Sequence, residues 1–149
     1  MLALLFYIGD VKYTVKCEKV REIAPIVSLK TVPHTPEFFA GYFNYRGDIV
    51  PVIDLCQLIQ GEPCNMRLST RIILVDYMGK NDIPHIVGLI AERVTETMRK
   101  PKDAFVLPGI KSKDAPYLGG IVMQHGEMIQ YVDLNLLPDC ISFLPDDEK

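Results

Sequence analysis

The hydrophobic pattern at the N-terminus predicts a β-hairpin. Leu2–Ile8 is a mostly apolar run, and it ends at the turn pair Gly9-Asp10. After the turn, Val11–Cys17 alternates between apolar residues and lysine or threonine. Because successive side chains of a strand point to opposite faces, this alternation is typical of a half-buried strand. Val20–Val27 is rich in β-branched residues and predicts a third strand.

Turn-forming residues and short apolar runs alternate in the middle of the chain. A helical turn is expected over residues 35–41, because threonine and proline can open it and glycine can close it. Ile49–Ile53 predicts an edge or bulged strand, since Pro51 has no N–H to donate. Asp54 is then expected to cap a short helix that ends near residue 61.

The second half repeats this style of short strands and turns. A turn is expected at 79–82, a long irregular connection at 99–116 and a short final segment at 134–137. The predicted strands are Arg71–Tyr77, Pro84–Ala91 (continued by Val94 and Thr95), Tyr117–Met123 and Met128–Val132. Many short strands and little helix predict an all-β barrel or sandwich.

Length and composition limit the chain to one domain or two very small ones. It has 149 residues, of which 48% are hydrophobic, so one domain spanning 1–149 can bury a substantial core. The longest apolar run, Met1–Ile8, is far shorter than the roughly 20 residues of a membrane span, so no direct membrane insertion is expected. That run also lacks the basic start and the cleavage site of a signal peptide. A cytoplasmic location is therefore expected.

Charge and metal-ligand chemistry exclude several function classes. A formal net charge of −3 argues against nucleic-acid binding. The cysteines at positions 17, 56, 64 and 140 form no C-x-x-C pair, and the three histidines lie in different segments. We therefore expect no cofactor and no metal site, unless the fold itself assembles one. In a reducing compartment, the cysteines are expected to be small buried apolar residues.

The chain contains an internal repeat. Gly41–Leu58 aligns without a gap on Gly120–Leu137 at an offset of 79, and Cys17–Glu22 aligns on Ala91–Glu96 at an offset of 74. Each long block reads as a strand, a glycine turn, a second strand and an aspartate-capped turn. The alternative is that unrelated amphipathic strands look alike. Halves of this size, 1–65 and 66–149, are marginal alone, so two barrel-like halves should pack together.

The segment Gly41–Leu55, GYFNYRGDIVPVIDL, resembles the signature of the CheW-like chemotaxis coupling proteins. The shared pattern is a glycine, then Asn-x-Arg-Gly, then an apolar strand that ends in Pro-Val-Ile-Asp-Leu. The resemblance extends over nearly the whole chain. Two features depart from it: Tyr45 stands where an aliphatic residue is usual, and prolines interrupt the C-terminal end from Pro138 onward.

This resemblance implies an all-β fold of two small five-stranded SH3-like barrels packed side by side, with a few short helical turns and with strands exchanged between the halves. It also implies an adaptor without catalysis. Its expected partners are the regulatory domain of a CheA-type histidine kinase and the helical cytoplasmic tip of a chemoreceptor, with ring-type arrays as a further expectation.

The resemblance also implies which residues contact these partners. Arg46 can act as a planar hydrogen-bonding fork at an interface, and the family pattern pairs it with the glutamate at position 22. A helix laid beside this pair needs apolar pockets. The residues that could form them, with core packing as the alternative for each, are Val20, Ile23, Ile49 and Val94.

Asparagine and glycine residues at or near the hairpin turns are also expected to affect partner binding, either by direct contact or through the shape of the loops. Asn44 is counted among the contact residues, with stabilisation of the turn as the alternative. Gly41, Gly47 and Gly120 are expected to be turn formers with positive φ.

Three other functions remain open at this point. A CheW-like adaptor of a non-chemotaxis histidine kinase pathway, such as surface motility, has the same sequence features. A small β-barrel enzyme would need a nucleophile, a base and an orienting group in one pocket, and the scattered His and Cys residues offer no such set. A single-strand nucleic-acid binder could stack bases on Tyr42, Phe43 and Tyr45 beside Arg46, but no basic groove accompanies them.

Overall fold

The described part of the chain consists of ten strands, one α-helix and three 3-10 turns. The computed structural model describes residues 1–78, 84–110 and 112–138. The α-helix is α1 (Leu55–Gln60), and the 3-10 turns lie at 17–19, 102–104 and 134–136. The strands are β1 (Leu2–Ile8), β2 (Val11–Lys16), β3 (Val20–Pro25), β4 (Phe39–Tyr45), β5 (Asp48–Asp54), β6 (Arg71–Met78), β7 (Pro84–Ala91), β8 (Arg93–Arg99), β9 (Leu118–Gln124) and β10 (Glu127–Val132).

These strands form two five-stranded sheets. Sheet one has the order β8-β1-β2-β10-β9, and sheet two has the order β3-β6-β7-β5-β4. Most neighbours are antiparallel, but β10 pairs with β2 and β5 pairs with β7 in parallel. The expected all-β class with two five-stranded units and few helical turns is confirmed.

Strands are exchanged between the two halves of the sequence: β3, β4 and β5 join β6 and β7 in sheet two, and β8, β9 and β10 join β1 and β2 in sheet one. β3 follows β2 in sequence but pairs with β6 in sheet two. β8 follows β7, separated from it by residue 92, but pairs with β1 in sheet one. The expectation that Val94 and Thr95 extend the preceding strand is therefore wrong. The approximate halves 1–65 and 66–149 were expected with strands exchanged between them, and sheet one does combine strands from both ends of the chain.

The sequence repeat corresponds to a repeated strand arrangement. The hairpin β4–β5 turns at residues 46 and 47 with φ of 51° and 92°, and the hairpin β9–β10 turns at residues 125 and 126 with φ of 49° and 80°. Each hairpin is closed by an equivalent backbone bond, from Asp54 N to Phe38 O at 2.8 Å and from Asp133 N to Tyr117 O at 2.7 Å. The two halves thus share local geometry as well as sequence.

One hydrophobic core extends across both sheets. Alternate residues of β1, including Phe6 and Ile8, pack in the same cluster as Ile73 and Leu89 of sheet two. The other face of β1 contributes Leu5 to a smaller cluster inside sheet one. Because β1 is buried on both faces, separating the sheets would expose apolar surface on one of its two faces.

Two local expectations for the middle of the chain are wrong. Residues 35–41 form no helical turn, since β4 begins at Phe39 and Phe39 N bonds Pro36 O in a single turn. The strand with Pro51 is neither an edge strand nor the bulged one, because β5 lies between β7 and β4 and the register shift of the β4–β5 pair lies on β4. Proline is tolerated there because the pairing with β7 begins at Val52, after the residue that lacks an N–H.

The expectation of separate buried thiols is wrong for two cysteines. Cys56 and Cys64 are buried, but they form a disulfide with their Cα atoms 5.0 Å apart. Gly61 ends α1 in the left-handed conformation with φ of 82°, and this reversal brings residue 64 back beside the helix. Cys17 is a partly buried free thiol, and burial raises its pKa.

Several expectations concern residues outside the described ranges. These are the turn at 79–82, the fourth cysteine Cys140 and the proline-interrupted C-terminal end. Among the described residues, none of the helices is long and apolar enough to cross a lipid bilayer.

Candidate functional site

Three side chains meet where the two edge strands of sheet two approach each other. Tyr45, at the end of β4, donates its hydroxyl hydrogen to Glu22 Oε1 at 2.6 Å. Arg46 Nη2 donates to the same oxygen at 3.1 Å. Glu22 lies on β3, and β3 and β4 are the outermost strands of the sheet order. This Glu22–Tyr45–Arg46 cluster therefore bridges the two sheet edges through side chains.

The hairpin turn places Arg46 at an exposed tip. Positive φ at both Arg46 and Gly47 defines a type I′ turn, which matches the twist of the flanking strands. Asn44 Oδ1 accepts a hydrogen bond from Gly47 N at 2.8 Å and holds the turn closed. The Arg46 side chain is 74% exposed, and its guanidinium carbon lies 5.1 Å from the centre of the Tyr45 ring.

The electrostatics of the cluster keep the tyrosine as a hydrogen-bond donor. The hydrogen bond to Glu22, with partial desolvation, raises the pKa of Tyr45 above its ordinary value. The hydroxyl is therefore protonated throughout the physiological pH range. As an exposed ion pair, Glu22 with Arg46 contributes only about 0–1 kcal/mol to stability. The pair is thus of little structural importance, which leaves it available for recognition.

The four candidate pocket residues do not form one surface with the cluster. Val20 and Val94 pack against the main core, so the core alternative describes both. Ile23 is 41% exposed, but it lies on the opposite face of β3 from Glu22, as strand alternation requires. Ile49 is 71% exposed and lines a shallow depression of about 280 Å³ with Pro84 and other residues of β5 and β7.

The expectation of positive φ holds for two of the three glycines. Gly47 (φ of 92°) lies in the hairpin turn, whereas Gly41 (φ of 136°) lies inside β4, so it has the expected positive φ but the expectation that it forms a turn is wrong. Gly120 lies inside β9 without positive φ, so the expectation that it forms a turn is wrong. A Cβ at Gly41 would lie 2.7 Å from Lys30 O, and one at Gly120 would lie 3.0 Å from Phe105 Cβ. These equivalent glycines allow a crossing segment to approach the strand.

Comparisons with known proteins identify the family. A family model described as a CheW-like domain matches residues 2–139. This chain belongs to the CheW-like domain family.

Similarity to individual members supports this membership. The chemotaxis protein CheW of Helicobacter pylori is 30% identical over 83% of this chain and 73% of its own length. Protein FrzA of Myxococcus xanthus is 30% identical over 81% of this chain and 73% of its own length. The crystal structure of the scaffolding protein TtCheW from Thermoanaerobacter tengcongensis aligns with a TM-score of 0.81 and 28% identity, covering 91% of this chain and 86% of that one.

Family membership defines the general role of the chain. The CheW-like chain is a non-catalytic adaptor of chemotaxis or a related signalling pathway, with the double five-stranded fold of its solved relative. The expectation drawn from the Gly41–Leu55 motif is confirmed at this level.

A buried lysine in sheet one of the CheW-like chain is a feature that sequence reasoning missed. Lys12 was placed on the polar face of its strand, but it is only 8% exposed. Its Nζ lies 3.4 Å from Glu127 and 4.0 Å from Glu96, and 5.3 Å from the centre of the Tyr7 ring. In the repeat alignment, these two glutamates match Asp48 and Glu22. Sheet one therefore has a counterpart of the candidate site in which the two acidic side chains face a buried lysine on β2, while His125 takes the position of Arg46.

A second buried cluster has potential metal ligands, but their atoms are already used. Asp54, Cys56 and Cys64 offer three ligand atoms within 4.8 Å of one another. The two sulfur atoms are bonded to each other, and the Asp54 carboxylate accepts N–H groups from Cys56, Gln57 and Cys64. Burial raises the pKa of Asp54, and these three hydrogen bonds oppose that rise. The arrangement is that of a structural cap.

Proposed function

We propose that this CheW-like adaptor works in the cytoplasm and couples the helical cytoplasmic tip of a chemoreceptor to the regulatory domain of a CheA-type histidine kinase. The observation that supports this most strongly is the exposed Glu22–Tyr45–Arg46 cluster at the edge of sheet two. It offers a carboxylate, a hydroxyl and a guanidinium within a few ångströms, at a position that contributes little to stability.

The chemistry of the cluster suits a polar contact to a helix. Arg46 carries five N–H donors in a planar fork, and its contact to Glu22 uses one nitrogen. A partner side chain with an oxygen acceptor can therefore bind the guanidinium without breaking the Glu22 contact. Arginine is among the residues that most often dominate interface energies.

Two of the four apolar candidates remain in the proposal as exposed contact residues. Ile49 is the most exposed of the candidate apolar residues, and it stands opposite Asn44 in the β4–β5 hairpin. We propose Ile49 as the apolar contact on the hairpin side and Ile23 as one on the outer face of β3. Val20 and Val94 are proposed to act only indirectly, through the main core against which both pack.

A charge reversal at the hairpin tip tests the receptor contact. Arg46→Glu should abolish retention of a soluble chemoreceptor signalling fragment, because the reversed charge repels both Glu22 and an acceptor on the partner. His125→Glu is the matched control, since His125 has the same position and positive φ in the β9–β10 turn. Full retention by Arg46→Glu, with an unchanged unfolding midpoint, would disprove the proposed site.

The kinase contact needs a separate measurement. The purified regulatory domain of the kinase should bind the wild-type chain, and simultaneous binding of kinase and receptor fragments should give a ternary complex in analytical ultracentrifugation. Growth of this complex into larger closed assemblies would support ring-type arrays. Binding to neither fragment by a folded chain would contradict the proposal as a whole.

A second candidate is a CheW-like adaptor of a kinase pathway other than chemotaxis, such as surface motility. The observation in its favour is that Protein FrzA matches this chain at the same identity as a chemotaxis protein. Titration against the regulatory domains of each histidine kinase of the source organism separates the two, because the cognate domain should bind at least tenfold more tightly.

Nucleic-acid binding is not supported by the placement of the aromatic residues. Phe43 and Tyr45 are partly buried and pack against the main core, with ring centres 6.3 Å apart at 56°. Tyr42 belongs to the opposite face of β4 and packs on Phe39. The rings therefore do not form a continuous stacking platform for bases.

A further inference from the structure

Tyr45 connects the polar cluster to the hydrophobic core. We propose that Tyr45 is a positioning residue for receptor binding, whose hydroxyl holds Glu22 so that Glu22 and Arg46 present a single preformed polar surface. This inference rests on the proposed function, since it assigns a role within the same site. It concerns a residue at which the chain departs from the usual motif.

The ring of Tyr45 is held from two sides. Its inner face packs against the main core beside Phe43, which lies two positions earlier on the same face of β4. The Arg46 guanidinium lies 5.1 Å from the ring centre. A tyrosine has two side-chain torsions, so packing of the ring fixes where the hydroxyl points. The hydroxyl therefore has a defined direction before any partner arrives.

The Tyr45 hydroxyl fixes the position of the Glu22 carboxylate. Glu22 is on β3 and has no backbone ladder with β4, because these strands are the two edges of sheet two. The Tyr45 bond at 2.6 Å is the shorter of the two contacts to Glu22 Oε1, and the Arg46 contact is 3.1 Å. A charge-assisted hydrogen bond from a fixed donor restrains the carboxylate more than an exposed arginine does.

The repeat provides an internal comparison without this arrangement. In sheet one, the positions of Tyr45 and Arg46 are taken by Gln124 and His125, and the position of Glu22 is taken by Glu96. Glu96 lies 4.0 Å from the buried Lys12. The equivalent glutamate thus faces a buried lysine on β2, whereas Glu22 is held by two residues of the hairpin itself. The exposed site thus differs from its counterpart in carrying Tyr45 and Arg46 on the hairpin, where the counterpart has Gln124 and His125.

Preorganisation of this kind strengthens binding because the partner no longer has to order the side chains. Tyr45→Phe removes only the hydroxyl and keeps the packed ring. It should weaken binding of a chemoreceptor signalling fragment about three- to tenfold, with little change in the unfolding midpoint. Tyr45→Leu, which removes the ring as well, should weaken binding at least as much.

The test combines a binding cycle with matched controls. Calorimetric titration of the fragment is carried out with wild type, Tyr45→Phe, Glu22→Gln and the double variant. In the Glu22→Gln background, the loss caused by Tyr45→Phe should shrink to less than twofold, since the hydroxyl acts through the carboxylate. Tyr42→Phe is the control, because Tyr42 lies on the same strand but on its opposite face.

A spectroscopic measurement tests positioning without any partner. With ¹³C-labelled tyrosine, the ring carbon of Tyr45 should titrate above the ordinary value near 10, and Glu22→Gln should bring its pKa back down. An unshifted Tyr45 titration in wild type, or equal binding losses in both backgrounds, overturns the inference. Absence of any wild-type binding overturns the proposed function instead, and that outcome is distinguishable because the titration still reports whether Tyr45 holds Glu22.

Discussion

Reduction of the Cys56–Cys64 disulfide should lower the stability of the fold by a calculable amount. The cross-link joins residues eight positions apart and closes a loop that contains the end of α1 and the reversal at Gly61. In the chain-entropy description, closing a loop of this length stabilises the folded state by about 2.5 kcal/mol relative to the open dithiol. For a chain of this size, that corresponds to a fall of about 8 °C in the unfolding midpoint.

Reduction is a clean perturbation because it keeps the atoms of the core in place. Both cysteines are buried, and free thiols of the same volume pack as small apolar groups. Asp54 continues to accept its three N–H bonds whether the sulfurs are bonded or not. The effect should therefore come from the unfolded chain, which regains the freedom that the cross-link removed.

Thermal and urea unfolding with and without a phosphine reductant measure this effect. Thiol titration in denaturant must show two additional thiols after reduction. Cys17→Ala should respond to the reductant as wild type does, whereas Cys64→Ala should not respond at all. If two thiols appear and the midpoint moves by less than 2 °C, the cross-link does not restrict the unfolded chain and the reasoning from loop length is refuted.

Further predictions concern the caps and the glycines. Asp54→Asn should lower the unfolding free energy by about 1–3 kcal/mol in urea titrations, because an amide nitrogen would face the Cys64 N–H. Asp133→Asn is the control and should cost less than about 1 kcal/mol, because the amide oxygen of asparagine can still accept the single bond from Asn135 N. Burial raises the pKa of Asp54, so the folded state binds a proton more readily than the unfolded chain and wild type gains stability as pH falls from 7 toward 4. The difference in unfolding free energy between wild type and Asp54→Asn should therefore widen over this range. A difference that narrows would contradict the prediction. Gly47→Ala should lower the unfolding free energy by about 1–2 kcal/mol because of the positive φ alone. Gly41→Ala should lower it by more than about 3 kcal/mol, since the new Cβ also clashes with Lys30 O. Equal losses of stability in calorimetry would show that the backbone near Lys30 moves away to relieve the clash.

The parts of the fold that depend on neighbouring residues could be predicted from the sequence. The hairpin at Gly9-Asp10, the cap at Asp54 and the repeated glycine turns are all present in the structure. Each of these depends on a few adjacent residues and on the period of the side chains. The Gly41–Leu55 motif likewise identified the family.

Features that depend on distant strands could not be predicted from the residue pattern. The exchange of β3–β5 and β8–β10 leaves no trace in the hydrophobic period, because a strand has the same period in either sheet, and only the family resemblance implied that strands are exchanged. The position of Pro51 depends likewise on distant residues, since β5 and β7 become neighbours only in the assembled sheet two. Lys12 read as an exposed polar residue because its partners Glu96 and Glu127 lie more than 80 positions away.

The repeat shows why only one half of the molecule carries the candidate site. Both halves keep an acidic residue at the equivalent position of β3 or β8 and another after the hairpin turn. In sheet one, Lys12 lies between the two glutamates and its side chain is buried, so the acidic charge is neutralised from within. In sheet two, extending the offset of 74 beyond the aligned block places Ile86 at the position of Lys12. Among the described residues, Glu22 forms its ion pair with Arg46 at the hairpin tip. One set of charges is therefore tied into the fold, while the other faces outward on an exposed turn where a partner can reach it.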